Sequence, residues 1–558
     1  MKTLVFLILF VPVYVIPQTD TSLQSLAEEF FTWRAATQPS TGDDILRVER
    51  PDGWQPDFSP VALSERSRKY ADFRSRLDAM PKADWSRADS IDYLLLRSAV
   101  ERVNWELNVL RLPYRNPDFY VHQTLGTLYE LLLLHSPMTD THAQNIITRF
   151  KSIPTTVDHA KGNLTEPVAR FADIALENLH DVRMKLTQTS DALKKVIRKR
   201  LHGELDSAIK EAADALEGYA GWIGARKSSM SSEFRVGKEA YSYFLRKIAL
   251  IPYTPEELLL MGDLEWSRSV SFDTYEELRN RSIPKAGLFT SAAEQIEQSR
   301  RDEESIRRFL EEENIMTVPE WVQHYINKKM PAYISPLSYM GVVDDLSSET
   351  RLDENGVSYI PDPSQHLSFF RRASAEDPRP IIVHEGIPGH YFQLVRSWAN
   401  PDPIRRRFID SGANEGIGFY VEELMLQFGL FDDRPHTREI IYRFMRLRAL
   451  RVDVDINLAL GNYSIEKAGA HLASTVPMDF ETAVREARFF AYNPGQAISY
   501  QIGKLQILKL IADAKVRQGE SFSLRDYHDY MMVNGNVPIA LQRWEYLGLT
   551  DEMAELWD

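Results

Sequence analysis

The stretch that decides the fold of this chain is IIVHEGIPGHYFQ, residues 381–393. A Glu directly follows the first of two His residues, and the second His stands six positions after the first. In the zinc-peptidase motif the two His residues stand four apart, one helical turn, so that both rings reach one ion. The residue types therefore indicate a metal site, and their spacing requires a distorted helix.

The gap of six residues needs a local change of helical geometry. In a regular helix the ring of His390 would be rotated well over half a turn from that of His384. Gly386, Pro388 and Gly389 lie between them, and a proline removes a backbone donor and clashes with the preceding turn. We predict a π-type bulge or a locally unwound turn that returns both rings to one side.

Four segments, in the same order along the chain, resemble one family. The motif at residues 384–390 with the following Gln393 is similar to the signature of the domain of unknown function numbered 885, which is grouped with the helical zinc metallopeptidases (gluzincins). The resemblance covers most of the mature chain. The other three matches are Arg76-Leu77-Asp78 with Asp92-Tyr93 and Leu96-Arg97, Asn414-Glu415-Gly416 with Tyr420-Val421-Glu422, and Pro494-Gly495-Gln496-Ala497 with Tyr500 and Gly503.

Helical periodicity dominates the chain, and strands alternating with helices are not visible. The exception is residues 332–363, where 333–334, 340–343 and 357–360 have the pattern of short strands that could form one sheet with 381–383. We predict a mostly α, large helical metallopeptidase-like fold with a small β-sheet beside the active-site helix. The predicted helices cover residues 22–33, 61–80, 86–112, 119–135, 140–153 (capped by Asp140), 238–251, 299–314 and 442–460, with two more in 169–216.

The first residues have the charge and length of a secretory signal peptide. A Lys at position 2 precedes an apolar run from Leu4 to Ile16, which is too short to span a bilayer comfortably. The alternative is an amino-terminal anchor. We predict cleavage near the end of residues 1–17, a helical amino-terminal part at 22–330 and a metal-site part at 331–558, joined as one catalytic domain. The expected product is secreted, without stable membrane anchoring.

Composition argues against several classes of function. A formal net charge of -14 argues against nucleic acid and against an anionic membrane surface as partners. Cysteine is absent, so no disulfide supports the fold and no thiolate can be nucleophile or ligand. Sequons begin at Asn163, Asn280 and Asn462, and each would carry a glycan only on an exposed site in a eukaryotic host.

The proposed metal ligands are His384, His390 and Glu415. Glu415 follows His390 by 25 residues, which leaves room for one helix to end and a second to bring in the third ligand. Glu422, two turns later on the same face, is expected to accept a hydrogen bond from a ligand His. An open His₂Glu set is a catalytic zinc pattern, so the predicted cofactor is Zn²⁺. If the long gap keeps one His off the ion, another residue must complete the set.

Two further residues have predicted catalytic roles. Glu385 stands beside His384 and is the predicted general base, which then donates the proton to the leaving amine. Tyr500 is the predicted donor to the oxyanion, with Tyr492 as its substitute. The other interpretation of Tyr500 is an aromatic residue of the core or of an interface.

A substrate carboxylate would need a cationic partner. Arg448 and Arg451 lie in an Arg-rich helix, and Lys504 follows Tyr500 by one turn. One of these three would bind the carboxylate of a peptide, or else they form structural ion pairs. The leading hypothesis is a secreted zinc metallopeptidase, similar to a carboxypeptidase or dipeptidase, that hydrolyses short peptides.

Three positions depart from the family pattern. Tyr391 stands where many relatives have a second His, Ile417 where they have Trp, and Ala459 where they have His. These departures motivate the alternative of a catalytically weak or inactive peptide-binding protein on a metallopeptidase scaffold. A third hypothesis uses the same site for hydrolysis or a lyase reaction on a small non-peptide amide, which shares the ligands and differs in pocket shape.

Overall fold

The structure, a computed structural model, describes residues 22–40, 48–134, 137–361 and 367–557. The predicted signal peptide at 1–17 therefore lies outside the described residues. Helices make up most of the described part, which confirms the predicted mostly α fold. None of the described helices is long and apolar enough to cross a membrane.

The amino-terminal helices begin at side chains that can cap them. Ser22, Ser59 and Ser86 each accept a hydrogen bond from a backbone N–H in the first turn that follows. The helices of this part are α1 (Leu23–Thr37), α2 (Pro60–Asp78), α3 (Arg87–Asn104), α4 (Leu112–Arg115), α5 (Pro117–Val121), α6 (Thr127–Leu133), α7 (Asp140–Asn163), α8 (Ala169–Asn178), α9 (Val182–Leu193), α10 (His202–Arg226), α11 (Lys238–Tyr243), α12 (Pro255–Asn280) and α13 (Ala292–Glu312).

Two of the carboxy-terminal helices are buried along most of their length. These two are α18 and α19 in the following list. The helices are α14 (Phe369–Glu376), α15 (Arg379–Ile381), α16 (His390–Trp398), α17 (Pro403–Arg407), α18 (Ser411–Gln427), α19 (Pro435–Leu460), α20 (Ile465–Thr475), α21 (Phe480–Tyr492), α22 (Ser499–Gln518), α23 (Leu524–Val533), α24 (Ile539–Leu547) and α25 (Ala554–Trp557).

Several predicted helix boundaries are wrong. The helix predicted at 140–153 continues through Pro154 to Asn163, because buried residues on both sides of the proline hold it against the core. Its cap is Thr139, whose hydroxyl accepts from the N–H of His142 at 3.1 Å, and not Asp140. Residues 169–216 contain three helices instead of two. The helices predicted at 86–112, 119–135 and 238–251 are each interrupted by a π-helical segment.

The predicted small sheet exists and has three strands. They are β1 (Tyr325–Lys329), β2 (Asp344–Asp345) and β3 (Gly356–Ile360), in the order β1-β3-β2. β1 runs parallel to β3, and β2 runs antiparallel to it with Asp344 opposite Ser358. The prediction of strand structure at 357–360 is confirmed.

The other predicted strands are wrong. Residues 333–334 lie in a turn, residues 340–343 run from the end of a 3₁₀ helix through irregular chain to β2, and residues 381–383 are helical. The N–H groups of Ile381 and Ile382 both donate to the carbonyl of Pro378, at 3.1 and 3.0 Å. Strand propensity of β-branched residues depends on context, and here these side chains pack in a helical turn.

The two predicted parts of the chain share one hydrophobic core. The largest apolar cluster joins Phe30 and Leu94 of the first part to Val357, Val537 and Leu556 of the second. A second cluster surrounds the metal-site motif. Because burial of apolar surface is the main favourable term in folding, this shared cluster stabilises the packing of the two parts.

Close packing of α18 on α22 fixes the position of the predicted third ligand. A Cβ built on Gly416 would lie 2.7 Å from the Cα of Gly503, and a Cβ on Gly503 would lie 2.1 Å from the carbonyl oxygen of Gly412. Only glycines allow the two helices to approach this closely. Glu415 and Tyr500 are therefore brought to neighbouring positions.

Two of the three sequons are inaccessible in the folded chain. The amide of Asn163 donates to the carbonyl of Phe58 at 2.7 Å, and that of Asn280 to the carbonyl of Pro435 at 3.0 Å. Both side chains are buried, so neither meets the condition of exposure for a glycan. Asn462 is exposed.

Candidate metal centre

The backbone between the two His residues is the distorted helix that their spacing predicts. After α15 the chain forms a π-helical turn at Ile382–Gly386, in which the N–H of Ile387 donates to the carbonyl of Ile382 at 2.9 Å. The chain is extended at Ile387, and α16 begins at His390. The centroids of the His384 and His390 rings lie 4.6 Å apart. The prediction that a π-type bulge brings both rings to one side is confirmed.

Two glycines make this turn sterically possible. A Cβ on Gly389 would lie 1.8 Å from the carbonyl oxygen of His384, which excludes any larger residue. A Cβ on Gly386 would lie 2.5 Å from the ring of Tyr325, the first residue of β1. The small sheet therefore packs directly beside the motif, as predicted.

Three donor atoms converge at this turn. Nε2 of His384 and Nε2 of His390 lie 3.5 and 3.3 Å from Oε2 of Glu415. The three residues are buried, and the three donor atoms lie within 4.8 Å of one another. A tetrahedral zinc ion with bonds of about 2.0–2.1 Å has donors roughly 3.4 Å apart, which matches the two distances to Glu415. Within the described ranges, no other group of three residues meets this criterion.

The hydrogen bonding of Glu415 also fits a cation. Its Oε2 is buried and accepts no hydrogen bond from the described residues. A buried carboxylate oxygen without a partner is unfavourable. An ion bound by Oε2 and the two imidazole nitrogens would compensate for the missing hydrogen bond. The His₂Glu set would leave a fourth coordination position open. The residues present therefore fit a zinc ion.

Glu422 lies beside the ring of His384. Its Oε1 is 2.7 Å from Nδ1 of His384, on the side of the ring away from Glu415. The guanidinium Nη2 of Arg448 lies 3.1 Å from the same oxygen. A proton on Nδ1 of His384 would leave Nε2 available to an ion, which is the tautomer that a ligand needs.

The charges of the site favour a cation at its centre. Burial alone would lower the pKa of His384, but Glu415 and Glu422 outweigh burial and raise this pKa to about 10. Burial alone would raise the pKa of Glu415, but the two His residues lower it. Without a metal, a protonated His therefore supplies the positive charge that these carboxylates require.

Glu385 differs from the three ligands in its accessibility. The residue is partly exposed, whereas the three predicted ligands are buried. Burial raises the pKa of Glu385 to about 7, and the opposing effect of His384 and His390 is smaller. The carboxylate of Asp344, which accepts from the hydroxyl of Tyr325 at 2.7 Å, also raises it. A pKa near neutrality suits a general base.

Tyr500 lies next to His384, the first predicted ligand. Its ring is 6.3 Å from the ring of His384 and tilted from it by 15°. The guanidinium carbons of Arg448 and Arg451 lie 5.5 and 4.7 Å from the centroid of the Tyr500 ring. Its catalytic role stays a prediction. Tyr492, the predicted substitute, packs instead in an aromatic cluster, with its ring 5.6 Å from that of Phe489.

The predicted carboxylate-binding residues all have acidic partners in the protein. Arg451 forms a salt bridge of 2.6 Å with Glu486. Lys504 is fully buried, and its Nζ lies 3.1 Å from Glu265 and 2.9 Å from Glu423. The prediction that Lys504 binds substrate is therefore wrong for this structure, because a substrate cannot reach it without breaking a buried ion-pair network.

Asp455 holds the turn that precedes α22. This role was not predicted from the sequence. Its carboxylate accepts from the N–H groups of Gly495 and Ala497 at 2.9 and 3.0 Å, and from the hydroxyl of Tyr241 at 2.9 Å. Gly495 has φ of +94°, which favours glycine. Asp455 therefore helps to position the start of the helix that carries Tyr500. The one sequence signal for this role is that an acidic residue stands between the apolar residues 454 and 456.

The fold and the site together define a class: a mostly α-helical protein with a buried His₂Glu cluster beside a three-stranded sheet. The chain belongs to the family described as "Bacterial protein of unknown function (DUF885)", whose model matches residues 39–544. This match confirms the family to which the sequence motifs are similar.

Two solved structures share the fold at low sequence identity. A protein from Shewanella oneidensis, described as "a putative lipoprotein of unknown function", is 16% identical with a TM-score of 0.70, and the match covers 94% of this chain and 100% of that one. A "putative lipoprotein" from Colwellia psychrerythraea is 16% identical with a TM-score of 0.76, covering 93% and 97%. The search of curated proteins found no match.

Proposed function

We propose that this protein is a zinc-dependent hydrolase of short peptides, with carboxypeptidase-like or dipeptidase-like specificity. The observation that supports this most is the arrangement at the turn between α15 and α16. Three buried donors lie at the separations of a zinc ligand set, and the half-buried Glu385 is adjacent in sequence to one of them. A catalytic zinc site needs such an open position and an accessible base, whereas a structural site is closed.

Each residue has a defined task in this proposal. His384, His390 and Glu415 would hold the ion, which would supply Lewis-acid activation of water and of the scissile carbonyl. The Glu385 carboxylate takes the proton of the attacking water and passes it to the leaving amine. The Tyr500 hydroxyl donates to the oxygen on which negative charge develops.

The location and the relationship to known peptidases belong to the same proposal. The solved relatives are described as putative lipoproteins, and the first residues of this chain resemble a signal peptide. We therefore propose an extracytoplasmic, secreted protein. The His-Glu pair, the Glu from a following helix and the adjacent sheet support the proposed likeness to gluzincins.

Metal analysis of the purified protein tests the ligand set. We expect one zinc ion per chain after metal-replete purification, and loss of zinc in His384→Ala, His390→Ala and Glu415→Gln. A matched control is His471→Ala, because His471 is about one-third exposed and pairs with Asp453 away from the motif. Zinc retained in a ligand variant would show that this residue is assigned wrongly.

Peptide hydrolysis tests the reaction. We expect the zinc protein to cleave members of a dipeptide and tripeptide library, a chelator to stop cleavage, and added zinc to restore it. Glu385→Gln should retain zinc but lose turnover by about 10²–10⁴-fold, the usual contribution of a general base. Peptide binding without cleavage in the zinc-loaded wild type would contradict the proposal and favour the peptide-binding scaffold.

A further inference from the structure

A cavity of about 830 Å³ opens at the amino-terminal end of α18. Its wall includes Ser411 and Asn414 of this helix, with Trp105 and Trp398 among its aromatic residues. Pockets of about 300–1,000 Å³ hold small organic ligands, so a short peptide fits in this space. The mechanism described above does not use this cavity.

Positive charge predominates among the residues that line the cavity. Arginine provides all of the cations, and glutamate all of the acids. The arginines are Arg34, Arg50, Arg102, Arg406 and Arg407, and the glutamates are Glu49, Glu106 and Glu349. The wall therefore has a formal excess of two positive charges, which favours an anionic ligand.

Most of these arginines have partners within the protein. Arg34 pairs with Glu106, and Arg406 and Arg407 pair with Glu349 at 2.9 and 3.2 Å. Arg50 donates to two backbone carbonyls, at 2.6 and 2.8 Å. These four side chains are held in place by the protein itself.

Arg102 is different, because its guanidinium forms no hydrogen bond or salt bridge with the described residues. It lies half-buried in the last turn of α3. It also lines a small adjoining cavity of about 40 Å³, which Ser411 and Asp410 line as well. The Asp410 carboxylate already caps α18 by accepting from the N–H of Ala413 at 2.8 Å. The guanidinium of Arg102 is thus available to a ligand.

The cavity borders the helix that carries Glu415. Ser411 stands four residues before Glu415, one turn along the same face of α18, which corresponds to about 6 Å along the helix axis. An extended peptide covers about 3.5 Å per residue. A substrate whose scissile bond lies at Glu415 could therefore place a group two or three residues away beside Ser411 and Arg102.

We propose that Arg102 binds a carboxylate of the substrate, so that the hydrolase selects short peptides with an anionic end. This inference rests on the proposed function for the identity of the ligand as a peptide. The carboxylate is either the main-chain carboxyl terminus or an acidic side chain near it. A guanidinium with free N–H groups binds either one through paired hydrogen bonds, and the aromatic wall packs against the remainder of the peptide.

Binding measurements test the proposed role of Arg102 without requiring turnover. The zinc-loaded Glu385→Gln protein is titrated with acetyl-Ala-Phe, with its carboxamide, and with acetyl-Ala-Glu carboxamide. We expect the free acid to bind at least about 10-fold tighter than its carboxamide, the size of one charge-assisted pair. Adding Arg102→Gln should reduce this ratio to below about twofold, and Arg102→Lys should leave an intermediate ratio.

The controls separate the possible results. Arg183→Gln removes the same charge from an exposed surface pair and should leave the ratio unchanged. Tight binding of acetyl-Ala-Glu carboxamide, lost in Arg102→Gln, would identify the acidic side chain as the source and support the proposal. Equal affinity for acid and carboxamide without tight binding of acetyl-Ala-Glu carboxamide, failure of all three probes to bind, or a preference for the anionic probe that is retained in Arg102→Gln would overturn the proposal. A normal ratio in a wild type that hydrolyses no peptide would refute the proposed function alone.

Discussion

Substitution of Gly418 by Ala should reduce metal affinity without unfolding the protein. Gly418 lies on α18 between Glu415 and Glu422, and a Cβ there would be 2.7 Å from Cε1 of His390 and 3.0 Å from Cε1 of His384. Ala in place of Gly in a helix stabilises by about 1 kcal/mol. Overpacking costs about 1–3 kcal/mol, so the free energy of unfolding of the metal-free protein should fall by at most about 2 kcal/mol.

The zinc affinity should also fall, because both rings must move together to relieve the overlap. Changes that misplace ligand residues typically cost about 10–100-fold in metal affinity. Competition with a zinc chelator measures this affinity, and urea unfolding measures the stability. Gly218→Ala on α10 is the matched control, since a Cβ there meets nothing within 4 Å and should stabilise by about 1 kcal/mol. Wild-type zinc affinity in Gly418→Ala would refute the assigned ring positions.

Two further predictions concern stability. Burial lowers the pKa of His528 to about 4, so the unfolded chain takes up its proton first, and stability should fall by about 3 kcal/mol between pH 6.5 and 4. Unfolding titrations should show an acid-dependent loss that is about 3 kcal/mol smaller in His528→Gln than in the wild type; the same slope in both would contradict the assignment. Lys504→Met should lower the free energy of unfolding by about 3 kcal/mol, because it breaks a buried ion pair. This value is at the lower end for such a change, since Arg268 still contacts both Glu265 and Glu423. A raised KM for acidic peptides with unchanged stability would instead restore a substrate role for Lys504.

The metal motif was predictable because its signals are local. The spacing of His384 and His390 with intervening Gly and Pro leads to the π-helical turn that the structure contains. The placement of Glu422 behind His384 follows from its two-turn spacing from Glu415. Lys504 shows where local reasoning fails, since its partner Glu265 lies 239 positions away in the sequence.

The sequence by itself determined the helical class, the family and the geometry of the His-Glu turn, because periodicity, proline and glycine act over a few residues. Tertiary structure alone decided which cations are paired and which are available. It buried Lys504 between two acids. It left the Arg102 guanidinium without a partner in the described part of the chain, and placed it beside a cavity enclosed by elements that are distant in sequence. Pairing of charges depends on which helices pack together, and a single sequence does not specify that packing.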